Sequence, residues 1–151
     1  MATERQIEEQ KDVPNHYTPK VCPVVLRPLQ NGQMQILAFR HPLAGSQIIK
    51  GTLEPGEQPT AGALRELAEE SGVDHALVVR KLGERSFDDI EQHWHIFLCE
   101  ATRPLPASWS HFTTDGGGHT FQFFWHDLTS EPDDSWHPIF KTALSFIRDY
   151  I

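Results

Sequence analysis

The residues best suited to chemistry gather in one stretch: Gly51-Thr-Leu-Glu-Pro-Gly-Glu57, then, after seven residues, Arg65-Glu66-Leu67-Ala68-Glu69-Glu70-Ser71-Gly72-Val73. Side chains three and four apart share a helical face, so Glu66, Glu69 and Glu70 would crowd together on a helix. Like charges at that spacing destabilise a bare helix by about 0.2–0.5 kcal/mol per pair. Three of them ask for a compensating cation. Hard carboxylate oxygens on a rigid helix suit Mg2+ or Mn2+, which keep waters and accept phosphate oxygens as further ligands. Glu57 comes from the loop and can approach the cluster from outside the helix. Arg65, four residues before Glu69, can hold that carboxylate or the loop in place. An acidic helix face taken alone is more often solvated surface, so the wider pattern has to decide.

The elements around this stretch are legible. In Thr60–Ser71 the apolar Ala61, Leu64, Leu67 and Ala68 recur at helical spacing, with Pro59 suited to the first turn and Gly72 to the stop. That predicts a helix whose Ala61–Leu64–Leu67 stripe packs on a sheet and whose glutamates face away. A second helix is predicted at Ile139–Tyr150, entered through Pro138. Strand-like runs fall at Val21–Leu29, Met34–Arg40, Gln47–Lys50, Leu77–Phe87, His93–Ala101 and Thr120–His126. Asn31-Gly32 between two of them signals a hairpin. Strands, a helix, more strands and a closing helix predict a mixed sheet covered on both faces.

With 151 residues, the chain is expected to form a single domain from residue 18 to 151 behind a polar tail, residues 1–17. That tail lacks the apolar core of a secretory signal, and no apolar run approaches the roughly 20 residues needed to span a bilayer. A soluble, cytoplasmic protein is expected. The net charge of −8 and the lack of a basic run argue against a nucleic-acid polymer as partner. An acidic protein with a phosphorylated small-molecule substrate needs positive charge at the site, and divalent cations supply it. Cys22 and Cys99 sit in apolar runs and read as buried, reduced thiols.

The box and its surroundings resemble a known family. Gly51, Glu57, Arg65, Glu66, Leu67, Glu69, Glu70, Gly72 and Val73 fill every fixed place of the Nudix box: a glycine, five residues, Glu, seven residues, Arg-Glu-apolar, one residue, Glu-Glu, one residue, Gly-apolar. At average residue usage, a chance match in a chain this long is on the order of 1 in 10 million. The resemblance implies an α/β (α+β) fold, a three-layer α/β/α sandwich around a mixed sheet. It implies metal-dependent hydrolysis of a phosphoanhydride bond in a nucleoside-diphosphate-linked substrate. By position, Glu66, Glu69 and Glu70 would be catalytic metal ligands. Glu57 would be a further ligand or support, Gly51 would offer its carbonyl, and Arg65 would orient the carboxylates. The general base would be Glu66 itself or a carboxylate outside the box, with Glu84, Asp88, Asp89, Glu91 and Asp115 as candidates.

Substrate markers are sparse. Lys50-Gly51 resembles the start of the box in diadenosine and diphosphoinositol polyphosphate members, but Ile49 replaces the usual proline. Asp88 and Asp89 stand where other subfamilies carry tyrosine or proline. Arg40 and Lys50, with Arg27 and His41 nearby, are candidates to meet phosphates. In His93-Trp94-His95, alternation puts both histidines on one strand face and Trp94 on the other, read as an exposed pair over a core tryptophan. No third ligand for zinc is identifiable along the chain. Trp109 and Phe112, ahead of the glycine-rich loop 115–118, suit either a lid over a base or an anchor for a long connection. The alternative function is a non-catalytic sensor that binds a phosphorylated metabolite in the same pocket; the extra cysteine and glutamate elements of the family's isomerase branch are not found in this chain.

Overall fold

The computed structural model describes residues 13–151, so most of the expected tail lies outside the described residues. β1 (Thr18–Pro28) and β2 (Met34–His41) pair antiparallel around the Asn31-Gly32 turn. Gly32 has φ +84°, a left-handed value that glycine adopts at no steric cost, and Asn31 Oδ1 accepts from the Gln33 amide at 3.0 Å.

The remaining strands are β3 (Gly45–Gln47), β4 (Gly51–Thr52), β5 (Ala76–Phe87), β6 (Gln92–Ala101), β7 (Trp109–Thr113) and β8 (His119–Asp127). With β1 and β2 they form one eight-stranded sheet in the order β5-β6-β1-β2-β8-β7, with β3 beside β2 and β4 beside β1. β1 and β6 run parallel and the other pairs antiparallel, so the sheet is mixed.

The long central strands alternate between two cores. On β1, Cys22 and Val24 join a core with Trp94, Phe140 and Ile147, while Val21 and Val25 join one with Leu67, Phe97 and Phe123. The first core lies under α2 (Pro138–Asp149) and the second under α1 (Pro59–Ser71). This is the expected helix–sheet–helix layering. Cys22 and Cys99 are free and buried, one in each core, so the sheet separates them. Burial pushes the Cys99 thiol up to about 12. No helix among the described residues is long and apolar enough to cross a membrane.

Three expectations need correction. The run Gln47–Lys50 is not a strand: β3 ends at Gln47, and Ile48 and Ile49 are buried in opposite cores without a ladder of their own. Their alternation mimics a strand because both sheet faces are covered. β7 was not expected, because Phe112 points outward, 61% exposed, and masks its inward alternation of Trp109, His111 and Thr113. On α1 the buried face holds Ala63 and Leu67 together with Glu66 and Glu70, whereas Ala61 is exposed. The helix is rotated from the pattern of its apolar residues because two of its glutamates are drawn inward.

Candidate functional site

Gly51 explains that rotation. It lies on β4 opposite Val21. A Cβ built there would stand 1.8 Å from Glu66 Cδ and 2.0 Å and 2.3 Å from the two carboxylate oxygens. Only glycine leaves that volume for the carboxylate. Gly62 plays the same part for Glu57, since a Cβ there would lie 2.7 Å from Glu57 Oε1. Gly72 closes α1 with φ 78°, its amide donating to the Ala68 carbonyl.

Arg65 ties loop to helix. Its Nε and Nη2 donate to the two oxygens of Glu57 at 2.7 and 2.9 Å, a bidentate fork. Nη1 donates to Glu66 at 2.7 Å and Glu69 at 3.2 Å, and Nη2 also reaches the Thr52 carbonyl at 3.0 Å. The guanidinium beside Glu57 holds that carboxyl well below its ordinary range, at about 2. Both oxygens of Glu57 are therefore engaged within the loop.

The helix carboxylates are in a different state. Glu66 and Glu70 are 5% and 8% exposed. Desolvation raises the Glu66 pKa, against the pull of Arg65. Glu70 is pushed up to about 9, first by burial and then by the charges of Glu66, Asp115 and Glu69. Its Oε2 is buried with no hydrogen-bond partner. A buried carboxylate oxygen without a donor, surrounded by further carboxylates, is costly unless a cation sits against it. An all-oxygen donor set of this kind fits Mg2+ or Mn2+.

Asp115 completes the cluster. Carboxylate oxygens of Glu66, Glu69 and Asp115 lie within 4.8 Å of one another. Asp115 opens a 3-10 turn between β7 and β8, where Gly116, Gly117 and Gly118 all have positive φ. Of the other candidate bases, Asp88 accepts from the Tyr17 hydroxyl at 2.8 Å, Asp89 and Glu91 are exposed at the β5–β6 turn, and Glu84 belongs to a histidine cluster. Only Asp115 joins the box residues.

The two residues expected to meet phosphate fall in different places. The Arg40 guanidinium lies 4.9 Å from the Phe124 ring centre, on the α2 face. Lys50 Nζ donates to Gln92 at 2.8 Å and lies 4.9 Å over Trp94; its charge still acts on Glu70. Lys20, which sequence reasoning missed, donates to Thr52 Oγ1 at 2.7 Å and is coupled to the charges of Glu66 and Glu70. Its signal was weak: one lysine at the start of an apolar strand. His93 is buried, and the histidine pair is not the exposed one expected.

Comparison with known proteins agrees with this geometry. The family model described as NUDIX domain matches residues 20–142. A Nudix hydrolase from M. smegmatis, RenU, superposes with a TM-score of 0.64 at 16% identity, covering 87% of this chain and 84% of the other. A C. elegans Ap4A hydrolase gives 0.63 at 16% identity, covering 89% and 98%. An ADP-ribose pyrophosphatase from Streptococcus suis 89-1591 gives 0.60 at 13% identity, covering 87% and 90%. At such identities the likeness is one of fold. Among curated proteins, none matches this chain by sequence. With the family's domain spanning residues 20–142 and its box complete on a loop and helix of the expected fold, this chain belongs to the Nudix family of hydrolases.

Proposed function

We propose that the chain is a divalent-metal-dependent pyrophosphohydrolase that cleaves a phosphoanhydride bond in a nucleoside-diphosphate-linked small molecule. The observation that carries this reading is the unpartnered, buried Oε2 of Glu70, a carboxyl that feels the charges of the Glu66, Asp115 and Glu69 cluster. Glu66, Glu69 and Glu70 would hold Mg2+ or Mn2+, with the Gly51 carbonyl alongside. Such an ion, when bound, neutralises the pyrophosphate and polarises the attacked phosphorus.

The chain's own residues then have separable tasks. Glu57 supports Arg65, whose fork holds the loop, Glu66 and Glu69 in register. Asp115, at the mouth of the cluster, accepts the proton of the attacking water at its carboxylate. Lys20 and Lys50 place positive charge next to the site in an otherwise acidic protein. Phosphoryl transfer demands little beyond such positioning and charge neutralisation. The nucleoside-diphosphate class of substrate draws support from structural relatives described as an Ap4A hydrolase, an ADP-ribose pyrophosphatase and a UDP-X diphosphatase.

The test is a phosphate-release screen with Mg2+ and with Mn2+ over nucleoside triphosphates, dinucleoside polyphosphates, ADP-ribose, nucleotide sugars and dinucleotide cofactors. Turnover of one class assigns the substrate. Tight metal-dependent binding without turnover of any would instead make the protein a sensor of a phosphorylated metabolite.

A further inference from the structure

A second cluster of ligating side chains lies outside the box. Alternation along β6 turns His93 and His95 to the α1 face of the sheet, and the β5–β6 register sets Glu84 opposite His95 and Ser86 opposite His93. We propose that Glu84, His93 and His95 form a metal site, separate from the box, for a transition ion of the zinc type held by two imidazole nitrogens and one carboxylate oxygen.

The distances suit such an ion. His93 Nε2 lies 2.7 Å from Glu84 Oε1, and His95 Nδ1 lies 3.6 Å from the same oxygen. One donor atom from each residue falls within 4.8 Å of the others. Donors that hold zinc tetrahedrally at about 2.0–2.2 Å stand roughly 3.3–3.6 Å apart, so sub-ångström to ångström shifts close the site.

Two further observations point to a ligand. His95 Nδ1 is buried without any hydrogen-bond partner, and 3.6 Å to Glu84 is too long to count as one. The second is the support around the donors. His93 Nδ1 lies 2.7 Å from Ser86 Oγ, the kind of outer contact that fixes a ligating ring. Lys81 pairs with Glu84 Oε2, leaving Oε1 turned toward the imidazoles. The open side faces a cleft of about 360 Å3 walled by Val13, Asn15 and Tyr17, where water can complete the coordination.

The two sites are distinct in place and in chemistry. Gly51, Val21, His95 and Glu84 are successive partners in one row across β4, β1, β6 and β5. His95 is thus two strand spacings, about 10 Å, from Gly51. Imidazole donors favour zinc-type ions, while the carboxylates of the box favour Mg2+.

The metal-stripped full chain, held in excess Mg2+ to fill the box, would be titrated with Zn2+ against a chromophoric chelator and with Co2+ by visible absorption. One Zn2+ per chain is expected, with a Co2+ spectrum of a nitrogen-containing, four- or five-coordinate site. His95→Gln and Glu84→Gln should weaken Zn2+ binding by about 100-fold or more, and Ser86→Ala by about 10-fold. Glu70→Gln should leave it unchanged. In the unsubstituted protein, Zn2+ should shift the ring NMR signals of His93 and His95, a readout independent of variant folding. No Zn2+ uptake in the presence of Mg2+, unshifted His93 and His95 rings, or uptake lost in Glu70→Gln but kept in His95→Gln would overturn the proposal.

Discussion

The carboxylate of Glu66 occupies the volume that a side chain at Gly51 would need, its Cδ 1.8 Å from the place of a Cβ. The first glycine of the box is thus a steric requirement of its first helix glutamate. Gly51→Ala should displace that carboxylate rather than unfold the chain, because the obstacle is a side-chain end. We expect kcat to fall by about 100-fold, the scale of an ångström-level misplacement, with a small change in Tm. Wild-type turnover in Gly51→Ala would show that Glu66 is not held where the reaction needs it.

Arg65 donates hydrogen bonds to three carboxylates and one carbonyl through a planar fork. A lysine keeps the charge but cannot reproduce that geometry. Arg65→Lys should lose about 1–2 kcal/mol of stability, discounted for partial exposure, and lower kcat by about 10- to 100-fold. Thermal unfolding and steady-state kinetics on the same preparation would check both.

Glu70 supplies a pH signature in the metal-free protein. Its carboxyl ionises near 4.5 in an unfolded chain but is pushed up to about 9 in the fold. The folded state therefore binds the proton more tightly, and the associated stability is present below pH 4.5 and lost as pH rises toward 9. Glu70→Gln, neutral throughout, should gain on the wild type across that window. In EDTA, the Tm difference should shift in favour of the variant by at least about 4 °C between pH 5 and pH 9, measured by calorimetry. A difference that stays flat with pH would refute the buried, proton-holding state of Glu70.

The box was legible because its chemistry is local: one loop and one helix carry Gly51, Glu57, Arg65, Glu66, Glu69 and Glu70. The two helices and most strands were legible from periodicity, and the Asn31-Gly32 hairpin from turn chemistry. What escaped depends on register and rotation, which a single strand does not encode. Glu84 reaches His93 and His95 only through the β5–β6 pairing, so the third ligand was invisible along the chain. Asp115 looked like one turn residue among five scattered acids, and only the β7–β8 connection carries it to Glu66. Lys50 seemed to face the phosphates by its place next to Gly51, yet its ammonium sits over Trp94.

Asp115 is exposed at a loop, so its removal should spare the fold. Asp115→Asn should lower kcat by about 100- to 10,000-fold, the range for a general base, with KM changed far less and Tm near wild type. Unchanged kcat would return the base to Glu66.

The central claim is metal-dependent hydrolysis at the Glu66–Glu69–Glu70 cluster. Its most direct measurement is turnover of the best substrate against Mg2+ concentration, wild type beside Glu70→Gln, both starting from EDTA-stripped protein. The account predicts no turnover without metal, a saturable rise with Mg2+ in the wild type, and a loss of about 1,000-fold in the variant at saturating Mg2+. Turnover that persists in EDTA, or a Glu70→Gln enzyme as fast as the wild type, would contradict it.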